Sequence, residues 1–120
     1  MRRLQRLALL LLAVWPVAPA GAHSVLATSV PAAHSRVRVP PKEITLTFTE
    51  RFEPAFSSVR VLDAKGTEVD NRDSRIDAAD GTSLRVTLRA LAAGRYRVIW
   101  RVLSIDAHVT KGEFTFDVAP

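Results

Sequence analysis

Cysteine is absent from the 120 residues, and methionine occurs once, as the first residue. The chain therefore has no disulfide and no thiolate ligand, so its stability must come from packing. Any metal ligands must be nitrogen or oxygen donors.

No apolar run is long enough to cross a bilayer, which takes about 20 residues. The strongly apolar stretch LALLLLAVW at positions 7–15 follows three arginines and precedes the small residues AGA at positions 20–22. That order is typical of a secretory signal peptide, so we predict a cleaved leader of residues 1–22 and a mature domain of residues 23–120. An uncleaved anchor and a cut after Ala20 are the alternatives.

The excess of positive charge in the mature chain is also smaller than the 17 basic and 12 acidic side chains of the full sequence imply. The predicted leader removes three arginines and no acid, which leaves 14 basic and 12 acidic side chains and a net charge of +2. This balance does not require a polyanion, so no nucleic-acid partner is expected. We expect one monomeric domain that is soluble after export.

The rest of the chain alternates between apolar and polar side chains, the pattern of half-buried antiparallel strands. Strands are predicted in the following segments: residues 23–30, 36–39, 43–49, 57–63, 83–89, 94–103 and 113–118. Turn residues separate them, and the polar stretch 70–80 is predicted to be a long loop. We therefore predict an all-β fold of about seven strands, a Greek-key β-sandwich or barrel of Ig-like size.

Two strands end with polar groups at positions where the alternation calls for core residues. The strand at 94–103 continues in this parity to Ser104, Asp106 and His108, and the strand at 43–49 continues to Glu50. In an extended chain Asp106 and His108 would share a face about 6.5 Å apart, which suits two ligands of one ion. Gly112 follows and is predicted to allow a sharp turn. The alternatives are a chance D-x-H pair and a Glu50 that caps its strand or pairs with an arginine.

Cleavage after Ala22 would make His23 the first residue, with a free α-amine beside its imidazole. The amine has a pKa near 7.7–8.0 and gives up its proton to a metal, so amine and ring can chelate one ion. With Asp106 and His108 they form an N₃O set that suits Cu(II), although Zn(II) could use the same ligands. Cu(I) prefers sulfur, which the mature chain lacks.

At these residues the sequence resembles the CopC family of small exported copper-binding domains, including its YobA-type relatives. The shared features are His23 after the leader, ITLTFTERF around Glu50, and the segment GRYRVIWRVLSIDAHVTKGEFTFDV. The resemblance spans essentially the whole mature chain. It implies a periplasmic β-sandwich or barrel with a Cu(II) site formed by His23, Asp106 and His108, and with Glu50 close to the metal or a weak axial ligand.

The resemblance also implies a role in copper buffering, resistance or delivery, with a CopD-type membrane copper transporter as a plausible partner. The region around residues 70–79 lacks the methionines that some members use for Cu(I). The leading interpretation is thus a Cu(II)-binding protein that is not an enzyme. The alternatives are a histidine-brace copper oxidative enzyme and a metal-free Ig-like interaction module.

Overall fold

The computed structural model describes residues 25–77 and 79–120. His23 and the predicted cleavage site lie outside the described residues, so both stay predictions. The described residues form a short 3₁₀ helix at Pro54–Phe56 and eight strands: β1 (Leu26–Val30), β2 (Arg36–Val37), β3 (Glu43–Phe48), β4 (Ser58–Leu62), β5 (Arg75–Ile76), β6 (Ser83–Thr87), β7 (Gly94–Leu103) and β8 (Val109–Val118).

The strands form two four-stranded sheets that pack face to face. One sheet has the order β1-β3-β6-β5 and the other the order β2-β8-β7-β4. All neighbours are antiparallel except β2, which runs parallel to β8. The predicted all-β sandwich is confirmed. None of the helices in the described part is long and apolar enough to span a membrane.

The core consists of the side chains that alternate along the strands, as predicted. In β3, for example, Ile44 and Leu46 are fully buried. The facing strands β7 and β8 complete the core with Tyr96, Val98, Trp100, Val102, Phe114, Phe116 and Val118. Burial of one such large side chain contributes about 1.5–3 kcal/mol, so this apolar layer is the main source of stability.

Several predicted strand and loop bounds were wrong. The stretch 70–80 contains β5, which pairs with β6 through Arg75 and Ile76 and is too short for any periodicity to reveal. Strand β8 begins at Val109 rather than at residue 113, because its first residues stay partly exposed and carry no apolar alternation. The first strand, predicted from residue 23, begins at Leu26 within the described residues.

Gly112 does not form the predicted turn but lies inside β8, directly opposite Trp100. A β-carbon at Gly112 would stand 2.5 Å from Cζ2 of the indole, so only glycine fits against this ring. Trp100 in turn contacts Phe48 edge-on, with ring centroids 5.2 Å apart. Phe48 makes a similar contact with Phe52 at 5.4 Å. This aromatic cluster closes the core below the turn between β7 and β8.

Strand β7 runs from one end of the sandwich to the other. Its ten residues span about 30 Å at 3.3 Å per residue. Leu103 lies at the end that carries the β7–β8 turn, which we call the turn end. Gly94 lies at the opposite end, near the segments around residues 40 and 90.

Candidate metal centre

Residues 104–108 form the turn between β7 and β8, which we call the 104–108 turn. Leu103 and Val109 are the last paired residues of the two strands. The N–H of Ser104 donates to the carbonyl of His108 at 2.9 Å, and the N–H of Ala107 donates to the carbonyl of Ser104 at 2.9 Å. The bond between Ser104 and His108 encloses a three-residue loop, 105–107, in which Ala107 has a φ of 68°, the left-handed conformation typical of such loops.

The turn corrects the expected geometry of Asp106 and His108. We predicted that the two residues lie along an extended strand, but they lie on a tight turn. Their side chains nevertheless meet, with Asp106 Oδ2 and His108 Nδ1 3.0 Å apart. A left-handed residue between them reverses the chain direction and brings the carboxylate to the ring.

Ser104 organises the turn from below. Its side chain is almost fully buried, and its hydroxyl donates a short hydrogen bond to Oδ1 of Asp106. The hydroxyl oxygen of Ser104 also accepts a hydrogen bond from the backbone N–H of His108 at 3.3 Å. One hydroxyl therefore fixes the carboxylate of Asp106 and the backbone of His108 relative to each other.

These contacts keep Asp106 ionised. The hydrogen bond from the Ser104 hydroxyl, followed by the His108 imidazole, lowers the pKa of Asp106 below its ordinary value of 3.8, against a desolvation cost that acts in the opposite direction. The side chain is one-third exposed, so an ion can approach it from solvent. Asp106 is thus an anionic oxygen donor at neutral pH.

The pair can hold a cation in two ways. Two donors at right angles, each about 2.0 Å from an ion, would stand about 2.8 Å apart, close to the observed 3.0 Å. Asp106 and His108 Nδ1 would then be adjacent ligands of one ion. Alternatively, Asp106 accepts the proton of Nδ1 and orients the ring so that Nε2 binds the ion. Both arrangements place the ion at the 104–108 turn.

Glu50 lies at the same end of the sandwich. It is exposed and stands two residues before Phe52, which forms an isolated bridge with Ser104. The N–H of Glu53 donates to the carbonyl of Leu103 at 2.7 Å and so fastens this segment to the end of β7. The polar residues that follow β3 and β7 are therefore brought to one end of the sandwich, as the alternation predicted.

The start of the described chain is fixed beside Glu50. The N–H of Val25 donates to Thr49 Oγ1 at 3.1 Å, and the N–H of Thr49 donates to the carbonyl of Val25 at 2.9 Å. Thr49 is the residue before Glu50. The described chain therefore begins at the turn end.

Within residues 25–77 and 79–120, no three His, Asp or Glu side chains come close enough to hold a metal ion. The structure brings Asp106 and His108 together and places Glu50 at the same end, whereas His23 lies outside the described residues. His34 is exposed, and its backbone N–H donates to the carbonyl of Thr115 on β8 at 2.7 Å.

Sequence reasoning missed the positioning residues. The parity of the strand marks Ser104 but gives no sign that it holds the turn, and nothing in the sequence distinguishes Thr49 from the rest of its predicted strand. The sequence could not predict the positive φ of Ala107, because alanine rarely adopts this conformation. A serine at a buried position directly before D-x-H is the signal that could have indicated the turn.

Comparison with known proteins now assigns the family. The model of the CopC domain matches residues 26–119. The chain belongs to the CopC family. It is 37% identical over 98 residues to "Protein YobA" of Escherichia coli strain K12, covering 81% of this chain and 79% of the relative. The resemblance stated from the sequence is confirmed.

Solved CopC structures share the fold. The crystal structure of CopC from Methylosinus trichosporium OB3b matches with a TM-score of 0.76 and 37% identity, covering 82% of this chain and 95% of that one. PcoC, described as a methionine-rich copper resistance protein from Escherichia coli, matches with a TM-score of 0.68 and 36% identity, covering 81% and 99%. This CopC-family chain differs from a methionine-rich protein in having a single methionine, at position 1.

Proposed function

We propose that this CopC-family chain is an exported protein that binds one Cu(II) ion at the turn end and serves copper buffering, resistance or delivery. The observation that carries the proposal is the 3.0 Å contact between Asp106 Oδ2 and His108 Nδ1. It unites an ionised oxygen donor with an imidazole at the end of the sandwich where the described chain begins. The copper resistance named for relatives such as PcoC agrees with this chemistry.

His23 supplies the remaining donors in the proposed set. His23 stands two residues before Val25, which is bonded to Thr49, and in the proposed site we therefore assign it to the turn end. Cleavage after Ala22 would give it a free α-amine. The amine and ring of His23, with Asp106 and His108, form the N₃O set that Cu(II) accepts in tetragonal geometry. Glu50 directly follows Thr49 and so lies beside the start of the described chain. In the proposed site it is a weak axial ligand or a nearby negative charge.

The same donor set favours one oxidation state. Residues 23–120 contain no sulfur, and Cu(I) prefers thiolate and thioether ligands. We therefore propose that the protein binds Cu(II) in the periplasm and does not shuttle electrons. A CopD-type membrane copper transporter is the proposed recipient of the ion.

The described surface favours binding over catalysis. A copper enzyme that attacks polysaccharides would need a broad face of exposed aromatic side chains. Among the described aromatic residues Phe56 is the one exposed side chain, whereas the others lie in the core. The metal-free interaction module, in turn, leaves the contact of Asp106 with His108 unexplained.

The test begins with the amino terminus of the exported protein, determined by N-terminal sequencing. A glycine inserted between Ala22 and His23 then displaces the α-amine by one residue, and copper affinity is measured by competition with a chelator. We expect affinity for Cu(II) to fall by at least about 100-fold, since one residue would no longer supply two donors. A glycine added after Pro120 is the control for chain extension.

A second pair of variants tests the imidazole. His108→Asn is expected to lower copper affinity by a similar factor, whereas His34→Asn, an exposed histidine outside the turn, is expected to leave it unchanged. Unchanged affinity after the insertion at His23 would refute the amine as a ligand. Equal effects of the two histidine variants would refute the site at the turn.

A further inference from the structure

The end of the sandwich opposite the 104–108 turn carries an apolar cleft with basic side chains at its rim. Residues 39–42 and 88–91 form it, with Arg38 directly before the first segment. The N–H of Leu88 joins the two segments by donating to the carbonyl of Lys42 at 2.9 Å. The cleft has a volume of about 490 Å³ and is lined mainly by Val39, Pro40, Pro41, Lys42, Arg89 and Leu91. We call this region the basic end.

The apolar part of the basic end projects into solvent. Val39 is 79% exposed, more than any other large apolar side chain in the described chain. Pro40 beside it is exposed as well. Proline has no backbone N–H, so this segment offers little to a partner that would add a strand. Together with the mostly apolar cleft beside it, this exposed apolar tip of Val39 and Pro40 forms a continuous surface that an apolar phase can cover.

The cations around this tip have no acidic partner. Arg38, Lys42 and Arg89 are exposed, and within residues 25–77 and 79–120 none of them forms an ion pair. Arginines on the strands behave differently. Arg85 and Arg95, for instance, contact Glu43 and Asp117 at 2.9 Å.

The acids nearest to the basic end are already engaged. Glu43 sits between Arg75 and Arg85, at 2.9 Å from each. Asp73 accepts the hydroxyl of Thr87 at 2.6 Å. The basic end therefore presents a local excess of positive charge although the predicted mature chain is nearly neutral.

We infer that the basic end docks on the surface of an anionic phospholipid bilayer. Val39 and Pro40 enter the headgroup layer, and Arg38, Lys42 and Arg89 contact lipid phosphates. Cations that flank an apolar tip are the chemistry of peripheral membrane binding, because each part adds to the attraction of the other. This surface is independent of the proposed copper site.

Docking of this kind would orient the molecule. The 104–108 turn lies about 30 Å from the basic end, so it would face away from the lipid and remain open to solvent for loading. Three cations give a reversible and salt-sensitive attraction rather than permanent anchoring. The protein would therefore be able to dissociate from the bilayer, or to reorient on it, and so present the turn end to a membrane transporter.

Vesicle sedimentation tests the inference with the exported protein, whose amino terminus is the same in every variant. Vesicles of phosphatidylcholine alone are compared with vesicles that also contain phosphatidylglycerol. Measurements at about 0.01 M and about 1 M ionic strength change the screening length from about 30 Å to about 3 Å. We expect binding to the anionic vesicles at low salt, and its loss at high salt.

Charge-reversal variants locate the surface. Lys42→Glu with Arg89→Glu removes two cations of the basic end, and the expected loss of partitioning is at least about tenfold. The matched control is Arg101→Glu with Lys111→Glu, which makes the same change in net charge. Arg101 and Lys111 face each other across β7 and β8, are exposed, and form no ion pair within the described residues. We expect this control to change partitioning less than about twofold.

Val39→Ser tests the apolar tip, with Val109→Ser, half-exposed beside the 104–108 turn, as its control. Weaker binding of the first variant alone supports insertion of Val39. Equal losses in the two charge-reversal variants would overturn the inference, since net charge alone would then explain binding. Absence of binding to anionic vesicles at low salt would also overturn it, and so would binding to polyglutamate in place of vesicles.

Discussion

Aspartates serve different purposes in two segments of this chain. In residues 63–74, between β4 and β5, Asp63 accepts the backbone N–H groups of Lys65 and Thr67 at 2.9 Å each. Asp70 accepts those of Val61 and Arg72 at 2.8 Å each. In the 104–108 turn the oxygens of Asp106 instead meet a hydroxyl and an imidazole.

The difference indicates which carboxylate is available for a metal. An aspartate that satisfies backbone N–H groups is needed where it is, because its removal leaves donors without acceptors. Asp106 faces an imidazole nitrogen that can exchange a proton for a metal ion. The partners of a carboxylate, rather than its presence in a motif, thus separate a structural aspartate from a candidate ligand.

The largest expected effects come from removing one aspartate of each kind, Asp70 or Asp106, by mutation to alanine. Asp70→Ala should lower the free energy of unfolding by about 3 kcal/mol, because the carboxylate is 1% exposed and the N–H of Val61 would lose its acceptor. Copper affinity should remain. Asp106→Ala should do the reverse, with affinity for Cu(II) reduced at least about 100-fold and the free energy of unfolding little changed.

Urea unfolding and chelator competition on both variants check this prediction. A loss of only about tenfold in Asp106→Ala would indicate that the carboxylate orients His108 instead of binding the ion. If Asp106→Ala unfolded as readily as Asp70→Ala, the distinction between the two segments would be wrong.

The next effect compares Gly112 of β8, near the 104–108 turn, with Gly66 of the 63–74 segment. Gly112→Ala should cost about 2 kcal/mol, because its β-carbon would stand 2.5 Å from the buried Trp100 ring and force the core to shift. Gly66→Ala, in the 63–74 segment, meets no atom within 4 Å but has a φ of 81°, so about 1 kcal/mol of backbone strain is expected. Denaturation midpoints with unchanged m-values measure both. Equal costs would argue against the close contact with the indole.

A smaller effect is expected for the hydroxyl below the turn. Ser104→Ala removes the hydrogen bond to Asp106 and should cost about 1 kcal/mol of stability. It should also let the pKa of Asp106 rise toward 3.8 and weaken copper binding by about tenfold, as loss of an orienting partner does. NMR titration of the carboxyl carbon follows the pKa. Ser57→Ala, which removes a hydroxyl that accepts the N–H of Leu103, is the control for a general loosening of β7.

The smallest effect concerns pH and Asp73. Hydrogen bonds from the side chain and the backbone of Thr87 lower the pKa of Asp73 below 3.8. The folded state therefore holds this proton more weakly than the unfolded state, so the contribution to stability is present above pH 3.8 and is lost as the pH falls through the lowered value. Asp73→Asn should reduce the loss of unfolding free energy between neutral and acidic pH by less than about 1 kcal/mol, since the side chain is 40% exposed. A slope identical to that of the parent would contradict this.

Most of the sandwich could be predicted because its strands follow a simple alternation. Tyr96, Val98, Trp100 and Val102 share one parity, and all four are buried. The alternation stops being informative where the chain turns. Strand β5 has two residues and its pairing depends on β6, a contact that no local pattern records.

The sequence could suggest candidate ligands but not their arrangement, and the ligand set stays a prediction. The residues Asp106, His108 and Glu50 emerged because they interrupt an apolar parity, and the structure places them at one end. Their arrangement depends on the positive φ of Ala107 and on the buried hydroxyl of Ser104, which are properties of the folded turn. The role of His23 depends on where a peptidase cuts, which is a property of export rather than of folding.

The stacking of one indole over a glycine gives the domain an optical signal of its own. Trp100 is the single tryptophan of residues 23–120, and it lies four residues, about 13 Å, before the serine that opens the 104–108 turn. A paramagnetic ion bound at the proposed site would quench this indole fluorescence. In the purified protein, a Cu(II) titration could therefore be followed by tryptophan emission without a dye or a label.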